Sequence, residues 1–161
     1  MAEKIWFVTG ASKGFGRIWA EAALKRGDKV TVTARKLEDV KELADTYGDR
    51  ALALALDVTD REAVFEAIKQ AHEHFGRLDV VINNAGYGLF GTIEEVSEQD
   101  ARAQIETNLF GALWVLQAAL PIMREQKSGH LLSTSSIGGV SAFPTVGLYH
   151  ASKWGLEALN Q

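Results

Sequence analysis

Two residues near the end of the chain, Tyr149 and Lys153, have types and a spacing that suit proton transfer. On a helix, residues four apart lie on the same face, so the phenol and the ammonium group would be neighbours. A phenol with a pKa of about 10 is a poor base at neutral pH, and a nearby ammonium group favours its phenolate form. The pair therefore fits a general acid/base. The same spacing also fits a packed tyrosine beside a solvated lysine.

Two further polar features can support such a site. Ser135 and Ser136 end the run "HLLSTSS", which we predict to be a strand, and a hydroxyl there can bond a substrate carbonyl oxygen. Serines at a strand end also commonly satisfy loop backbone. Asn108 lies in an otherwise apolar helical segment, where an unpartnered amide is costly to bury. Its side chain either bonds a kink in the backbone or holds a water molecule that links Lys153 to solvent.

A glycine-rich turn, "TGASKGFG", lies between the first predicted strand and the first predicted helix, with glycines at Gly10, Gly14 and Gly16. A diphosphate needs close backbone N–H groups and the positive end of a helix dipole. Side chains at these positions would block the approach or forbid the backbone angles of the turn. Glycine can also serve packing alone at such a turn, but its place in a βαβ unit favours phosphate binding. The P-loop pattern is absent from the sequence, which argues against a P-loop nucleotidase.

The end of the second predicted strand indicates which dinucleotide binds. A carboxylate there would bind the ribose 2'-hydroxyl of NAD, whereas an arginine would pair with a 2'-phosphate. The strand leads directly into Arg35, and Lys13 lies in the glycine turn. Lys13 and Arg35 are also compatible with ordinary solvated charges at the protein surface. Because two cations converge where an acid is missing, we predict NADP(H) as the preferred cofactor, with NAD(H) as the alternative.

Polar residues also follow the third and fourth predicted strands. Asp57 either initiates the turn before the next helix or accepts a hydrogen bond from the adenine amino group. The segment "NNAG", 83–86, lies where ligands bind in folds with parallel strands. It suits backbone held against a ribose or a flat ring, and it also suits an ordinary turn.

The elements that must position these residues alternate along the chain. Strands are predicted at 4–9, 29–34, 51–56, 78–83 and 130–136. Helices are predicted at 17–27, 37–48, 59–76 and 97–127, and around Tyr149 and Lys153. We expect a capping box of Thr59 and Glu62 at the third helix. Apolar strands that alternate with helices predict an α/β fold with a doubly wound parallel sheet in three layers, formed by residues 1–161 as one domain.

Composition excludes several other classes. The chain has 161 residues, 47% of them hydrophobic, a net charge of −4 and no cysteine. Disulfides and thiolate metal sites are therefore excluded, and the lack of a basic run argues against nucleic acid. The uncharged stretch 107–123 is shorter than the ~20 residues that a membrane span needs. The N-terminus is too short and too charged for a secretory signal. We expect a cytoplasmic protein with no membrane partner and no metal.

In combination and order, these motifs resemble those of the short-chain dehydrogenase/reductase family. The matching residues are Thr9 to Gly16, Asp57, Asn83 to Gly86, Asn108, Ser136, Tyr149 and Lys153. The resemblance implies a Rossmann fold and reversible hydride transfer between NAD(P)(H) and an alcohol/carbonyl pair. It also implies a homodimer or homotetramer that packs through the two helices carrying Asn108 and Tyr149.

The resemblance assigns a role to each matching residue. Tyr149 would be the general acid/base, and Ser136, preferred over Ser135 for its spacing to the tyrosine, would polarise the substrate oxygen. Lys153 would hold the nicotinamide ribose and favour the phenolate, and Asn108 would support a proton relay. The cofactor-binding residues would be Gly10, Ser12, Lys13, Gly14, Phe15, Gly16, Arg35, Asp57, Val58, Asn83, Ala85 and Gly86, together with Tyr149 and Lys153.

The sequence departs from the family pattern after the Tyr149 helix. Family members continue into two more strands, a Pro-Gly turn and a helical substrate lid, and here the only prolines are Pro121 and Pro144. We therefore expect most of an enzyme without its last strands and lid. The apolar segments 87–96 and 138–149 favour a small hydrophobic carbonyl compound or alcohol as substrate. A catalytically inactive dinucleotide-binding protein, acting as a sensor or subunit partner, is the alternative. A methyltransferase-like domain would need an acid where Arg35 stands.

Overall fold

Strands and helices alternate throughout the residues that the computed structural model describes, 3–161. The strands are β1 Ile5–Val8, β2 Lys29–Ala34, β3 Ala51–Ala55, β4 Val80–Asn83 and β5 His130–Ser133. The helices are α1 Gly14–Arg26, α2 Glu38–Tyr47, α3 Arg61–Phe75, α4 Glu98–Ile105, α5 Gly111–Gln126 and α6 Gly147–Leu159. Short 3₁₀ turns lie at Gly48–Arg50 and Ile137–Gly139, and a π-helical turn at Glu106–Phe110 joins α4 to α5.

The five strands form one parallel sheet in the order β3-β2-β1-β4-β5. In this register Val8 of β1 lies beside Val32 on one side and Ile82 on the other. The winding of the chain reverses between β1 and β4, so the carboxyl ends of these two strands border a crevice. The predicted doubly wound, Rossmann-type α/β fold is confirmed.

Both faces of the central strands are apolar because helices cover both faces of the sheet. Phe7 packs with Ile68 of α3 and Val115 of α5 in one buried cluster. Its neighbour Val8 packs with Leu24 of α1 in the other cluster. Successive residues of one strand thus pack against the two helix layers, and the sheet that carries the strand ends is fixed from both sides.

The predicted capping box of α3 is wrong. Asp60 is the cap, since its carboxylate accepts the Ala63 N–H at 3.0 Å. The Thr59 hydroxyl instead donates to Asp57 Oδ1 at 2.8 Å. Because Thr59 belongs to the turn that closes on Asp57, the N-cap of α3 lies one residue later than predicted, at Asp60 instead of Thr59.

The fifth strand is shorter than predicted. It pairs with β4 as far as Ser133 opposite Asn83, and the Thr134 N–H then donates to the Asn83 carbonyl. Since β4 itself ends at Asn83, the following residues have no strand to pair with. Ser135 and Ser136 consequently lie in the loop after the strand.

The helix predicted over 97–127 is one continuous path with an irregular centre. Ser97, the first residue of the predicted range, is the N-cap and accepts the Asp100 N–H. The π-helical turn that follows α4 admits one extra residue into the turn, a feature that often occurs at functional sites. The stretch Glu98–Gln126 has the length and apolar character of a membrane span. Residues such as Val115 lie in the core cluster, and a core helix passes the same test.

Among the described residues, β5 pairs with β4 alone, so its other edge is open. A groove of about 440 Å³ lies beside this strand, with Trp6, Trp19 and Leu132 in its wall. An unpaired strand edge of this kind is a template for pairing with a further strand.

The glycine turn after β1 requires glycine for two separate reasons. Gly10 has a φ of 64°, in the left-handed region that favours glycine. At Gly16, a Cβ atom would lie 2.5 Å from the Gly10 carbonyl oxygen and 2.5 Å from Asn84 Nδ2. The start of α1 therefore packs against the Gly10 backbone on one side of the crevice and the Asn84 side chain on the other, and nothing larger than a hydrogen atom fits there.

We expect Gly16→Ala to lower the free energy of unfolding by about 1–3 kcal/mol, because the added methyl group overpacks rigid backbone. Urea unfolding followed by circular dichroism measures the change. Gly155→Ala is the matched control, since a Cβ there meets only the flexible tip of Leu109, at 3.0 Å. Equal losses in the two variants would contradict the backbone contact.

Candidate functional site

A cleft of about 630 Å³ opens at the carboxyl ends of the central strands. Ten of the predicted cofactor-binding residues line it: Gly10, Ser12, Lys13, Gly14, Phe15, Arg35, Asp57, Val58, Ala85 and Gly86. The remaining wall consists of Ala34, Leu56, Thr59, Asn84, Tyr87 and Thr107. The turns after four successive strands of the sheet thus meet around one space.

The turns after β1 and β4 are held together by a small group of hydrogen bonds. Thr9 Oγ1 accepts the backbone N–H groups of Asn84 and Ala85, each at 3.0 Å. In return, Asn84 Nδ2 donates to the carbonyls of Thr9 and Gly10 at 3.1 and 2.9 Å. Sequence analysis placed Asn84 in a motif but gave it no role. Asn84 links the turn after β4 to the turn after β1, and these two turns form neighbouring walls of the cleft.

Four predicted cofactor residues do not line this cleft: Gly16, Asn83, Tyr149 and Lys153. Tyr149 and Lys153 lie on α6. Asn83 is buried in β4, where its side chain donates to the Ala112 carbonyl at 3.3 Å. Gly16 is buried under the turn that it supports. Asn83 therefore faces helix α5, and nothing in the geometry supports direct contact between its side chain and a cofactor.

The two cations at the cleft are exposed, as a site for an anion requires. Lys13 lies immediately before α1, and Arg35 follows β2. Both line the cleft, and neither is engaged by an acid in an ion pair of the described residues. Phe15, which is 65% exposed, stacks on Trp19 with the ring centroids 5.5 Å apart. The positive end of the α1 dipole points into the same space.

Asp57 does what the first of its two interpretations predicts. Its Oδ1 accepts both the N–H and the hydroxyl of Thr59, at 3.0 and 2.8 Å. Oδ2 takes part in none of the hydrogen bonds of the described residues, so the second interpretation stays open. The next residue, Val58, is buried, and a Cβ at Gly111 would lie 2.7 Å from its side chain. The floor of the cleft therefore rests directly on the start of α5.

Tyr149 and Lys153 lie on one side of α6, as their spacing predicts. Lys153 Nζ is 5.8 Å from the centroid of the tyrosine ring and donates to the Thr134 carbonyl at 2.6 Å. Lys153 is buried, and this burial lowers the pKa of its amino group. A hydrogen bond to the residue after β5 holds the amine at the carboxyl edge of the sheet. Two of the three N–H bonds of an ammonium group then remain for a ligand.

The serine next to this pair is oriented by its own turn. Ser136 Oγ accepts the Gly138 N–H at 3.1 Å, which leaves the hydroxyl hydrogen free to donate. A Cβ at Gly138 would lie 3.4 Å from Tyr149 Cε1, so the serine turn packs against the tyrosine ring. Ser135 Oγ is buried and has no hydrogen-bond partner among the described residues. The Ser136 hydroxyl is therefore oriented by a hydrogen bond and can donate to a ligand, whereas the Ser135 hydroxyl makes no hydrogen bond with the described residues.

Asn108 lies in the π-helical turn and is only 1% exposed. Its Oδ1 accepts the Tyr87 N–H at 3.0 Å, and its Nδ2 donates to the Tyr87 carbonyl and to Ser152 Oγ. The amide thus bonds the loop after β4 rather than the backbone of its own helix. Ser152 donates in turn to the Tyr149 carbonyl at 2.7 Å. Asn108 therefore connects the cleft wall at Tyr87 with the helix that carries the phenol.

Sequence analysis missed Gln104 as a member of this network. Gln104 is fully buried, accepts the Leu89 N–H at 2.8 Å and donates to the Tyr87 carbonyl at 3.0 Å. The available signal was its position, four residues before Asn108 on the same helix face. Together the two amides hold the loop that begins at Gly86, where a Cβ would lie 3.0 Å from Asn108 Oδ1.

The arrangement fits a dinucleotide. The glycine turn and the α1 dipole provide for a diphosphate, and two exposed cations, Lys13 and Arg35, line the cleft. A phenol and an amine lie on α6, and the Ser136 hydroxyl lies in the loop after β5. The cleft volume falls in the range of ligand pockets, about 300–1,000 Å³. A nicotinamide cofactor would supply the redox chemistry that these side chains lack.

Comparisons with known proteins agree with this geometry. Residues 4–161 match the family model described as short chain dehydrogenase. The oxidoreductase BOA17 of Botryotinia fuckeliana is 49% identical over 94% of this chain and 56% of its own length. A 3-ketodihydrosphingosine reductase of Bacteroides thetaiotaomicron is 38% identical over all of this chain and 57% of its own length. The chain thus spans just over half the length of these relatives.

Solved structures of similar proteins superpose closely. A short-chain dehydrogenase from Streptomyces avermitilis is 44% identical, with a TM-score of 0.95 over 98% of this chain and 58% of that one. An alcohol dehydrogenase from Thermococcus sibiricus, complexed with 5-hydroxy-NADP, is 34% identical, with a TM-score of 0.92 over 98% and 68%. A short-chain dehydrogenase/reductase from Burkholderia phymatum in complex with NAD is 30% identical, with a TM-score of 0.93 over 98% and 57%. The chain belongs to the short-chain dehydrogenase family.

Proposed function

We propose that this protein is an oxidoreductase that transfers a hydride reversibly between NADP(H) and an alcohol/carbonyl pair, with Tyr149 as the general acid/base. One observation carries the proposal. The Lys153 amine lies 5.8 Å from the Tyr149 ring, at the edge of the sheet where the glycine-lined cleft opens. A phenol and an amine on one helix face can take part in hydride-transfer chemistry only if a redox cofactor binds beside them, and the cleft has the volume and the polar lining for one.

The cofactor would be held by groups that line the cleft. Backbone N–H groups of the glycine turn would bind the diphosphate, and the free Oδ2 of Asp57 suits the adenine amino group. Lys13 and Arg35 would neutralise a 2'-phosphate. Solved structures of similar fold contain either 5-hydroxy-NADP or NAD, so the preference for NADP(H) rests on these two cations.

The reacting groups would act on one substrate oxygen. In the direction of reduction, a bound nicotinamide cofactor would supply the hydride that these side chains cannot provide. Ser136, whose Oγ already accepts the Gly138 N–H, donates its hydroxyl hydrogen to the carbonyl oxygen and polarises it. Tyr149 delivers a proton to the same oxygen, which completes the alcohol, and an N–H of Lys153 that does not bond Thr134 would bind the ribose.

We propose a small hydrophobic carbonyl compound or alcohol as the substrate. Apolar side chains are exposed in the two loops that flank Tyr149: Tyr87, Phe90 and Ile93 in one, and Val140 and Phe143 in the other. A pocket with apolar walls and a few convergent polar groups suits such a ligand. The relative from Bacteroides thetaiotaomicron, a 3-ketodihydrosphingosine reductase, is named for a carbonyl substrate.

We further propose that residues 1–161 act as a cofactor-binding and catalytic domain of a cytoplasmic homodimer or homotetramer. The outer faces of α5 and α6 support this assembly, since they expose Leu120 and Trp154, and Phe110 is exposed just before α5. Large apolar side chains exposed together often mark a contact between subunits.

One prediction of this proposed function concerns the phenol of Tyr149. Tyr149→Phe should lower kcat for reduction of an active carbonyl compound by about 10²- to 10⁴-fold, because the ring stays and only the proton donor is lost. NADPH oxidation, followed by absorbance across a panel of hydrophobic aldehydes and ketones, first identifies the compound and then gives the rates. The Kd for NADPH should be unchanged.

Tyr47→Phe is the control, since Tyr47 lies at the end of α2, away from the cleft. Normal turnover by Tyr149→Phe would refute the acid/base assignment. Cofactor binding without turnover by the unmodified protein would instead favour a dinucleotide sensor.

The second prediction concerns the choice of cofactor. Arg35→Ala should weaken NADPH binding about tenfold and leave NADH binding unchanged, because a charge-assisted contact to the 2'-phosphate is lost. Fluorescence titration with both dinucleotides measures the two Kd values. Arg124→Ala removes an exposed arginine from the end of α5 and is the matched control. Equal affinities of the unmodified protein for NADPH and NADH would remove the role given to Arg35.

A further inference from the structure

We infer that His150 is a positioning residue for the proposed reaction: its neutral imidazole fastens the loop that begins at Ser136 to the helix that carries Tyr149. The inference rests on the proposed function, because it explains how the serine hydroxyl and the phenol keep one relative geometry. Neither the sequence motifs nor the hydrogen bonds of the reacting groups assign a role to this histidine.

His150 is 5% exposed although it directly follows Tyr149 in α6. Its Nδ1 accepts the backbone N–H of Phe143 at 3.2 Å. An imidazole nitrogen that accepts an N–H carries no hydrogen, so the hydrogen of the neutral ring is on Nε2. The hydrogen bond thus identifies the tautomer, because only the neutral ring with its hydrogen on Nε2 can accept the Phe143 N–H at Nδ1.

The same ring packs against both ends of the loop. The Phe143 and His150 rings meet edge to face, with centroids 5.6 Å apart at an angle of 65°. At the other end, a Cβ at Gly138 would lie 2.5 Å from His150 Cδ2 and 3.0 Å from Nε2. Glycine at 138 therefore lets the 3₁₀ turn lie directly on the imidazole.

The packing of Gly138 on His150 is linked to the Ser136 hydroxyl by one hydrogen bond. The N–H of Gly138 is the group that Ser136 Oγ accepts, at 3.1 Å, and a Cβ at Gly138 would lie 3.4 Å from Tyr149 Cε1. A shift of the turn away from His150 would move the Gly138 N–H and reorient the serine hydroxyl. His150 thus acts on the site through the turn and need not contact the substrate.

A histidine that only filled space in the core would not need to supply a hydrogen-bond acceptor, whereas His150 supplies one to the loop. The Phe143 N–H lies in an irregular loop, and strand or helix pairing does not satisfy it. The loop also contains Thr145 with a φ of 67°, which is costly for a β-branched residue. A loop with strained backbone and few regular hydrogen bonds depends on specific side-chain anchors, and His150 provides one at Phe143.

Three variants test the role. In His150→Asn the side-chain oxygen replaces Nδ1 as acceptor, whereas His150→Leu keeps much of the volume and removes the acceptor. His74→Leu, at an exposed position near the end of α3, is the control. Amide hydrogen exchange at Phe143 should be about tenfold faster in His150→Leu, as expected for the loss of one hydrogen bond, and close to wild type in His150→Asn.

Turnover should follow the same order. The kcat of His150→Leu should fall about tenfold, since the serine hydroxyl is misplaced in the transition state, while the Kd for NADPH stays unchanged. His150→Asn should recover most of this loss. Unchanged kcat in His150→Leu despite faster exchange would refute the positioning role, as would equal defects in the Leu and Asn variants.

A measurement on the unmodified protein guards against a variant that fails to fold. In uniformly ¹⁵N-labelled protein, a scalar coupling between the Phe143 amide nitrogen and His150 Nδ1 reports the hydrogen bond directly. We expect the coupling together with ¹⁵N shifts of the Nε2–H tautomer. Absence of the coupling, or a doubly protonated ring at neutral pH, would overturn the inference. The coupling without any carbonyl turnover would support the anchor and refute the proposed reductase function.

Discussion

The close approach of two backbone turns, after β1 and after β4, is the constraint on which the cleft depends. A Cβ at Gly10 would lie 2.9 Å from the Ala85 Cα, so the two turns touch without intervening side chains. Polar groups bridge the contact, because Thr9 Oγ1 accepts two N–H groups from the second turn and Asn84 returns two hydrogen bonds. Groups that would be orphaned at the strand ends thus satisfy each other.

A second set of buried amides extends this order towards the reacting residues. Asn108 and Gln104 both bond the backbone around Tyr87, and Asn108 also reaches Ser152 on the helix of the phenol. The π-helical turn brings one amide to the loop while the helix continues into the core. Buried amides are costly unless satisfied, and here each makes at least two hydrogen bonds, so the network fixes the loop to the helix.

Local patterns predicted the features of this fold that local physics controls. The glycine turn after β1 and the start of the long helix at Ser97 depend on near neighbours in sequence, and both were predicted. The end of β5 depends on where β4 stops pairing, and the cap of α3 depends on a competing bond from Thr59 to Asp57. The contacts of Asn108 join residues from separate elements, so single-sequence patterns singled out this residue but not its partners, and no pattern singled out His150. The site was therefore predicted in its residue types and only partly in its connections.

The stack of Phe15 on Trp19 gives the cleft an optical reporter. The Phe15 ring lines the cleft, and the indole lies one helical turn behind it with nearly parallel planes, 10° apart. A ligand that moves the exposed phenyl ring changes the polarity around the indole, whose emission colour depends on its surroundings. Trp19, one of four tryptophans in the chain, is therefore placed to report ligand binding at the start of α1 through its intrinsic fluorescence.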